Sequence, residues 1–191
     1  MLLQVKDLDI SYGERLTVAG ASLELDKGEI MSIVGESGSG KTTVAWALQR
    51  RLGRSMLLLS QDAIRREMLY ASDGPDTPAI PLLSHLLEYG ATHCPAVILE
   101  GILTAQWYAP VFRAAQQRFS DRISAWYFDL PFEETLRRHQ TKPNRADFGE
   151  ADMRRWWREK DYIGFLPEHT LTADISEAQI LERICADLAH L

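Results

Sequence analysis

Residues 29–42 read EIMSIVGESGSGKT, an apolar run closing on Gly35-Glu36-Ser37-Gly38-Ser39-Gly40-Lys41-Thr42. The second half fits G-x-x-x-x-G-K-[S/T] in full. Its setting also fits, with an apolar strand before it and a helical stretch, residues 41–52, after it. The residue types follow from what a nucleotide's phosphates need. Gly35, Gly38 and Gly40 let the backbone wrap closely, so the N–H groups of the loop, those of Glu36, Ser37 and Ser39 included, turn toward phosphate oxygens. The N-terminus of the following helix adds partial positive charge. Lys41 is expected to reach the β- and γ-phosphates, Thr42 to hold Mg²⁺ through its hydroxyl, and Thr43 to border the nucleotide. ATP and Mg²⁺ are the cofactors this pattern implies.

Outward from the loop, strands and helices alternate. Upstream, residues 2–10 and 16–26 alternate in strand fashion around a turn at Tyr12-Gly13-Glu14, which predicts an antiparallel pair added to the main sheet. Downstream, strands are expected at 56–60, 96–99 and 123–128. Helices are expected at 62–70, 82–92, 109–119, 132–140 and 150–160. The prolines and glycine of 72–81 mark a loop, and 141–148 a second one. A last helix begins after Ser176, where Ser176-x-x-Gln179 has capping-box spacing. The alternation predicts an α/β fold, a parallel central sheet between two helical layers. No linker divides it, so one domain is expected: 1–28 as a β-hairpin extension, 29–136 as core, 137–161 as lid, and 162–191 as a C-terminal strand and helix.

Other chemistry-bearing residues fall where such a sheet presents ligands. Val97-Ile98-Leu99-Glu100-Gly101 is an apolar strand ending in an acid, which puts the Glu100 carboxylate at the carboxyl edge, able to hold Mg²⁺ through water. Asp62 follows the strand Met56–Ser60. It is the candidate base for phosphoryl transfer to a hydroxyl, and it equally suits the N-cap of the 62–70 helix. Arg65 and Arg66 either pair a charged substrate group or form a solvated helix face. Residues 137–160 suit a lid that closes over a triphosphate, with Arg138 and Arg145 as the arginines aimed at the transferring phosphoryl. Trp156 and Trp157 cannot share one helix face, so one packs inward. Five histidines show no ligand spacing, and no G-x-S-x-G occurs, so neither zinc nor a serine nucleophile is expected.

The chain has 191 residues, 46% apolar and 25% charged, which excludes a disordered or fibrous protein. Apolar runs such as Met56–Leu59 fall far short of the ~20 residues a membrane span needs, and the first residues, charged at Lys6, lack a signal-peptide block. Cys94 and Cys185 make no disulfide framework, which suits a reducing cytoplasm. The net charge of −6 argues against non-specific nucleic-acid binding. Its distribution is uneven. Residues 50–66 carry five basic residues against one acid and residues 137–160 eight against four, and both segments are expected to flank the triphosphate.

Two resemblances meet at the loop. Leu2–Leu8, Ser11-Tyr12-Gly13, Ala21–Glu29 and Ile33–Thr42 resemble the start of an ABC-type ATPase. This implies an antiparallel β-subdomain and makes Tyr12 an aromatic that either stacks on adenine or packs within its strand. The L-S-G-G-Q signature of that family is absent. Residues 31–191 resemble small P-loop kinases of the zeta-toxin and chloramphenicol-phosphotransferase-like group. The resemblance lies in the loop, Leu59-Ser60-Gln61-Asp62 with Arg65–Leu69, Val97–Leu103, Tyr127–His139, and Met153-Arg154-x-Trp156-Trp157. It implies Asp62 as base, Glu100 on the metal side and lid arginines within 137–145. The chain looks like a chimera, natural or engineered, of two P-loop families joined at their shared motif.

The reading is a kinase that moves the γ-phosphoryl of MgATP to a hydroxyl of a small-molecule acceptor, acting away from membranes as a monomer or weak dimer. The alternatives are a nucleotide-binding or ATP-hydrolysing module without an acceptor, and a polynucleotide 5′-kinase.

Overall fold

The computed structural model describes residues 3–12, 15–25, 28–141 and 148–188, the first two segments as backbone. Strands β1 (Leu3–Tyr12) and β2 (Arg15–Leu25) pair antiparallel, with register shifts between Val5 and Leu8 and on to Ser11. They form a two-stranded sheet of their own rather than the expected addition to the main sheet. The main sheet begins at β3 (Glu29–Gly35), buried at every position. Helix α1 (Lys41–Leu52) follows the phosphate-loop motif and leads to β4 (Leu57–Ser60).

After β4 comes α2 (Gln61–Ala63), which widens into a π-helical turn over Ile64–Met68. The predicted 62–70 helix is thus short and distorted: Leu69 N–H reaches back five residues to Ile64 O, at 3.0 Å. Helix α3 (Ala79–His93) starts three residues earlier than expected. Pro81 is tolerated because it lies in the first turn, where an N–H has no helical partner, and Ala79 and Ile80 gain burial. Then come β5 (Ala96–Gly101), α4 (Ala109–Phe119), β6 (Ile123–Phe128), α5 (Phe132–Gln140), α6 (Glu150–Trp156), β7 (Glu168–Leu171) and α7 (Glu177–Leu188).

The five strands run parallel in the order β4-β5-β3-β6-β7. Period-two alternation sorts their side chains into two layers. Val97, Leu99, Ile123, Ala125 and Tyr127 pack with α3 and α4. Met31, Ile33, Ile98, Trp126 and Phe128 pack with α1 and α7. Each fully buried side chain of this kind, Leu83 or Phe112 for example, contributes about 1.5–3 kcal/mol. The α3 layer comes so close that a β-carbon on Gly90 would lie 2.5 Å from Val97 Cγ2. Among the described residues no helix is long and apolar enough to cross a membrane.

The predicted capping box forms. Ser176 N–H donates to Gln179 Oε1 at 2.9 Å and Gln179 N–H to Ser176 Oγ at 3.4 Å. This anchors the start of α7, whose Ile180, Ile184 and Leu188 complete one layer. Ser176→Ala should lower unfolding free energy by about 1 kcal/mol in a denaturant titration.

Candidate functional site

Parallel pairing brings the carboxyl ends of the strands to one edge. Across β3, Val34 faces Gly101 and Gly35 faces Phe128. Across β5, Glu100 faces Ser60. The phosphate loop, Glu100 and the residues after Ser60 therefore open onto the same side.

The loop is shaped for an anion. Gly40 caps α1 with a left-handed backbone and no side-chain cap bond, and the first turn holds no acid. The leading N–H groups of a 12-residue helix thus face outward with the positive end of its dipole. Lys41, 6% exposed, folds back to donate to Glu36 O at 3.1 Å. Ser39 is wholly buried, and its Oγ has no partner. The Ser39 N–H, expected to face phosphate, instead closes a turn onto Glu36 O at 3.2 Å, so a phosphate-bearing ligand fits the helix N–H groups and the unpaired Ser39 hydroxyl.

Thr42 and Glu100, both predicted on the metal side, meet: Thr42 Oγ1 donates to Glu100 Oε2 at 3.0 Å, with Glu100 2% exposed. An all-oxygen pair of hydroxyl and carboxylate suits Mg²⁺. Asp62, Arg65 and Arg66 also come together. Asp62 Oδ1 accepts Arg65 Nη2 at 2.8 Å and lies 3.2 Å from Arg66 Nε. Ser60, not Asp62, holds the N-cap position, and it makes no cap bond. Arg65 also donates to Ala71 O at 3.2 Å, which closes the π-helical turn. Behind them Gln61 Nε2 donates to Tyr108 Oη at 2.6 Å, and Tyr108 donates to Asp73 at 2.7 Å. Burial first, then Asp73, pushes the Tyr108 hydroxyl pKa up.

Helix α5 leans on the loop. A β-carbon on Gly38, at φ +89°, would sit 2.4 Å from Thr135 O. Arg138 donates to Ser39 O at 2.9 Å and to Glu134 at 2.6 Å. The Arg137 and Arg138 guanidiniums together hold the Glu134 carboxyl down at about 2. Arg137, Arg138, Thr43, Ile175 and Ser176 line a cavity of about 380 Å³ beside Gly40. Sequence reasoning missed its β7–α7 wall, although the Ser176 cap signal marks that loop. Arg145 lies outside the described residues, as does the side chain of Tyr12, whose backbone ends β1 opposite Arg15.

Two expectations change. Arg50 and Arg51 stand in the last turn of α1, roughly 15 Å along the helix from the loop, so of the 50–66 charges only Arg65 and Arg66 reach the β4 mouth. Helix α6 stops at Trp156, not at 160. Trp157 leaves the helix to meet Phe132 edge-on, while Trp156 meets Phe148. The next N–H, of Arg158, is taken by Glu36 Oε1 at 3.1 Å rather than by a helical carbonyl.

Glu36 is a residue the loop motif leaves free. It is 7% exposed, and its pKa rises from 4.5 to about 7, chiefly through burial. The folded chain therefore binds an extra proton between those values. Stability linked to Glu36 is full below its unfolded value and is lost as pH rises through about 7.

Gly38→Ala forces α5 away from the loop. It should cost about 1–3 kcal/mol in unfolding free energy and weaken nucleotide binding measured by titration.

A family model described as AAA domain matches residues 30–166. The oligopeptide transport ATP-binding protein AmiF of Streptococcus pneumoniae is 49% identical over 51 residues, 25% of this chain and only 17% of that protein's length. Among solved structures, the Mycobacterium tuberculosis APS kinase CysC in complex with AMPPNP and APS aligns at a TM-score of 0.63 with 23% identity, covering 87% of this chain and 99% of that one. A gluconokinase from Sinorhizobium meliloti 1021 aligns at 0.60 with 14% identity, covering 86% and 94%. The likeness to these kinases is one of fold. With most of its length matched by the family model, the chain belongs to the AAA domain family and has the fold of P-loop kinases.

Proposed function

We propose that the chain is an ATP-dependent phosphotransferase that moves the γ-phosphoryl of MgATP to a hydroxyl of a small-molecule acceptor. The observation that carries this is the meeting of three groups at one sheet edge: the phosphate loop, the Thr42–Glu100 pair and the Asp62 carboxylate. The kinase fold and the nucleotide analogue named for the APS kinase support the same reading.

The triphosphate would lie against the loop N–H groups, with Lys41 turning from Glu36 O to its β- and γ-oxygens. Mg²⁺, when bound, neutralises charge on those oxygens; Thr42 would hold it directly and Glu100 through water. Asp62, kept in one orientation by Arg65 and Arg66, would take the proton of the acceptor hydroxyl as its oxygen attacks the γ-phosphorus and the bond from that phosphorus to the departing ADP oxygen breaks. Arg66, whose side chain is 48% exposed, pairs with Asp62 through Nε and would turn its outer nitrogens to an anionic group on the acceptor. The cavity lined by Thr43, Arg138 and Ile175 suits the base. Arg138 would reach the transferring phosphoryl on leaving Ser39 O; Arg145 is the other arginine the reading assigns to it.

The match to AmiF favours one other reading, a module that binds or hydrolyses ATP without an acceptor. ADP release measured with and without a panel of hydroxyl compounds separates the two, because only the kinase shows acceptor-dependent release. Lys41→Ala should abolish turnover in either case. Asp62→Asn should leave ATP binding within about twofold and lower transfer about 10²–10⁴-fold; unchanged transfer would remove Asp62 as the base.

A further inference from the structure

Glu36 connects two parts of the molecule 122 positions apart in sequence. Its backbone carbonyl receives Lys41 of the loop, and its side chain receives the N–H of Arg158. Arg158 opens a segment, 158–162, that crosses from α6 toward β7 over the carboxyl edge of the sheet. That segment is tied down at further points. Asp161 accepts Ala105 N–H at 3.0 Å, Asp161 N–H donates to Tyr127 Oη at 3.2 Å, and Tyr162 Oη donates to Asp129 at 3.3 Å. The Arg158 guanidinium stands 5.5 Å from the Trp107 ring. The other ties reach β6, Asp129 just past it, or the loop after β5; among the described residues Glu36 is the one that joins the strap to the phosphate loop.

We propose that Glu36 is a positioning residue, a latch that holds the 158–162 strap against the phosphate loop, and that the latch carries a proton when the triphosphate is bound. This rests on the nucleotide reading above.

Glu36 lines a small cavity together with Val34, Thr104, Tyr127 and Asp161. The charged and titratable groups facing it are Lys41 from α1, Arg158 and Asp161 from the strap, and Tyr127 from β6. Only Lys41 and Arg158 favour its anionic form, and a triphosphate would draw Lys41 away. An anionic ligand in the loop would then face an ionised carboxylate with its cation removed. Protonation relieves that repulsion and leaves an oxygen to accept the Arg158 N–H, so the strap stays in place. Burial already holds the group near neutrality before any ligand arrives.

Titration calorimetry of the full chain with Mg²⁺ and a non-hydrolysable ATP analogue tests this. Binding should be measured from pH 6.5 to 8.5 in buffers of different ionisation heat. The wild type should take up protons on binding and lose about tenfold in affinity across that range. Glu36→Gln, which keeps the acceptor oxygen, should bind with no such uptake and a flat profile. Arg158→Pro removes the N–H donor, and Trp157 already has the extended backbone a following proline requires. It should weaken binding at every pH, whereas Arg158→Ala, which keeps the N–H, should retain the wild-type slope. Hydrogen exchange at the Asp161 amide should rise in Arg158→Pro and stay low in Arg158→Ala.

If Glu36→Gln and wild type bind with the same proton uptake, the proposal is overturned while the nucleotide reading stands. If none of the proteins binds the analogue at any pH, the nucleotide reading falls and takes the latch with it. Thermal unfolding of each variant without ligand separates loss of the latch from loss of the fold.

Discussion

The register of β3 with its two neighbours is the constraint on which the rest depends. Val34 is held opposite Gly101 and Gly35 opposite Phe128, so the loop leaves the sheet from a point fixed on both sides. The same register sets Glu100 where Thr42 can reach it, one residue into the helix that the loop starts. Helix α5 then closes the loop from the other flank, Thr135 O resting where a side chain on Gly38 would be. Apolar burial on both faces of the sheet supplies the energy for this arrangement, because a glycine-rich loop has little preference of its own for one shape.

Charge in this protein is handled locally. Arg137 pairs with Glu134, Arg154 with Glu150 and Arg155 with Asp152, each within one helical turn. Exposed pairs of this kind contribute little to stability. They do reduce the positive field that eight basic residues in 137–160 suggest on paper. Among the described residues, the cations beside the site are individually placed ones: Lys41 and Arg138 at the loop, and Arg65 with Arg66 beside Asp62.

Much of this was readable from residue order, for identifiable reasons. The loop and the Ser176 cap depend on residues within a few positions of one another, where spacing carries the geometry; the pairing of Asp62 with Arg65 and Arg66, equally local, was not read from the sequence. Glu100 was readable because a strand ending in an acid has only one edge on which to place it. The rest depends on contacts that spacing does not encode. The Arg158 N–H that ends α6 early is bonded to a residue 122 positions away. The approach of Thr135 to Gly38 involves a backbone carbonyl, which every residue has. A strand was expected within 162–191, but its bounds were not: β7 is four residues long, exposed or half-buried at Glu168–Thr170, with no alternating apolar pattern to place it. The β1–β2 pair was legible as a hairpin, but its separation from the main sheet was not, since strand patterning says nothing of which edge a hairpin joins.

The central position of β3 also governs when the site can exist. It is the earliest strand of the main sheet in chain order, yet Ile30 pairs with Val97 on one side and with Ile123 on the other. A ribosome must complete β6 before either flank of the loop is secure, and these non-local pairings close late and slowly. Until then the GESGSGKT stretch is open chain. Nucleotide affinity is therefore gained near the end of folding, and a chain arrested before β6 would carry the whole motif without the pocket that gives it meaning.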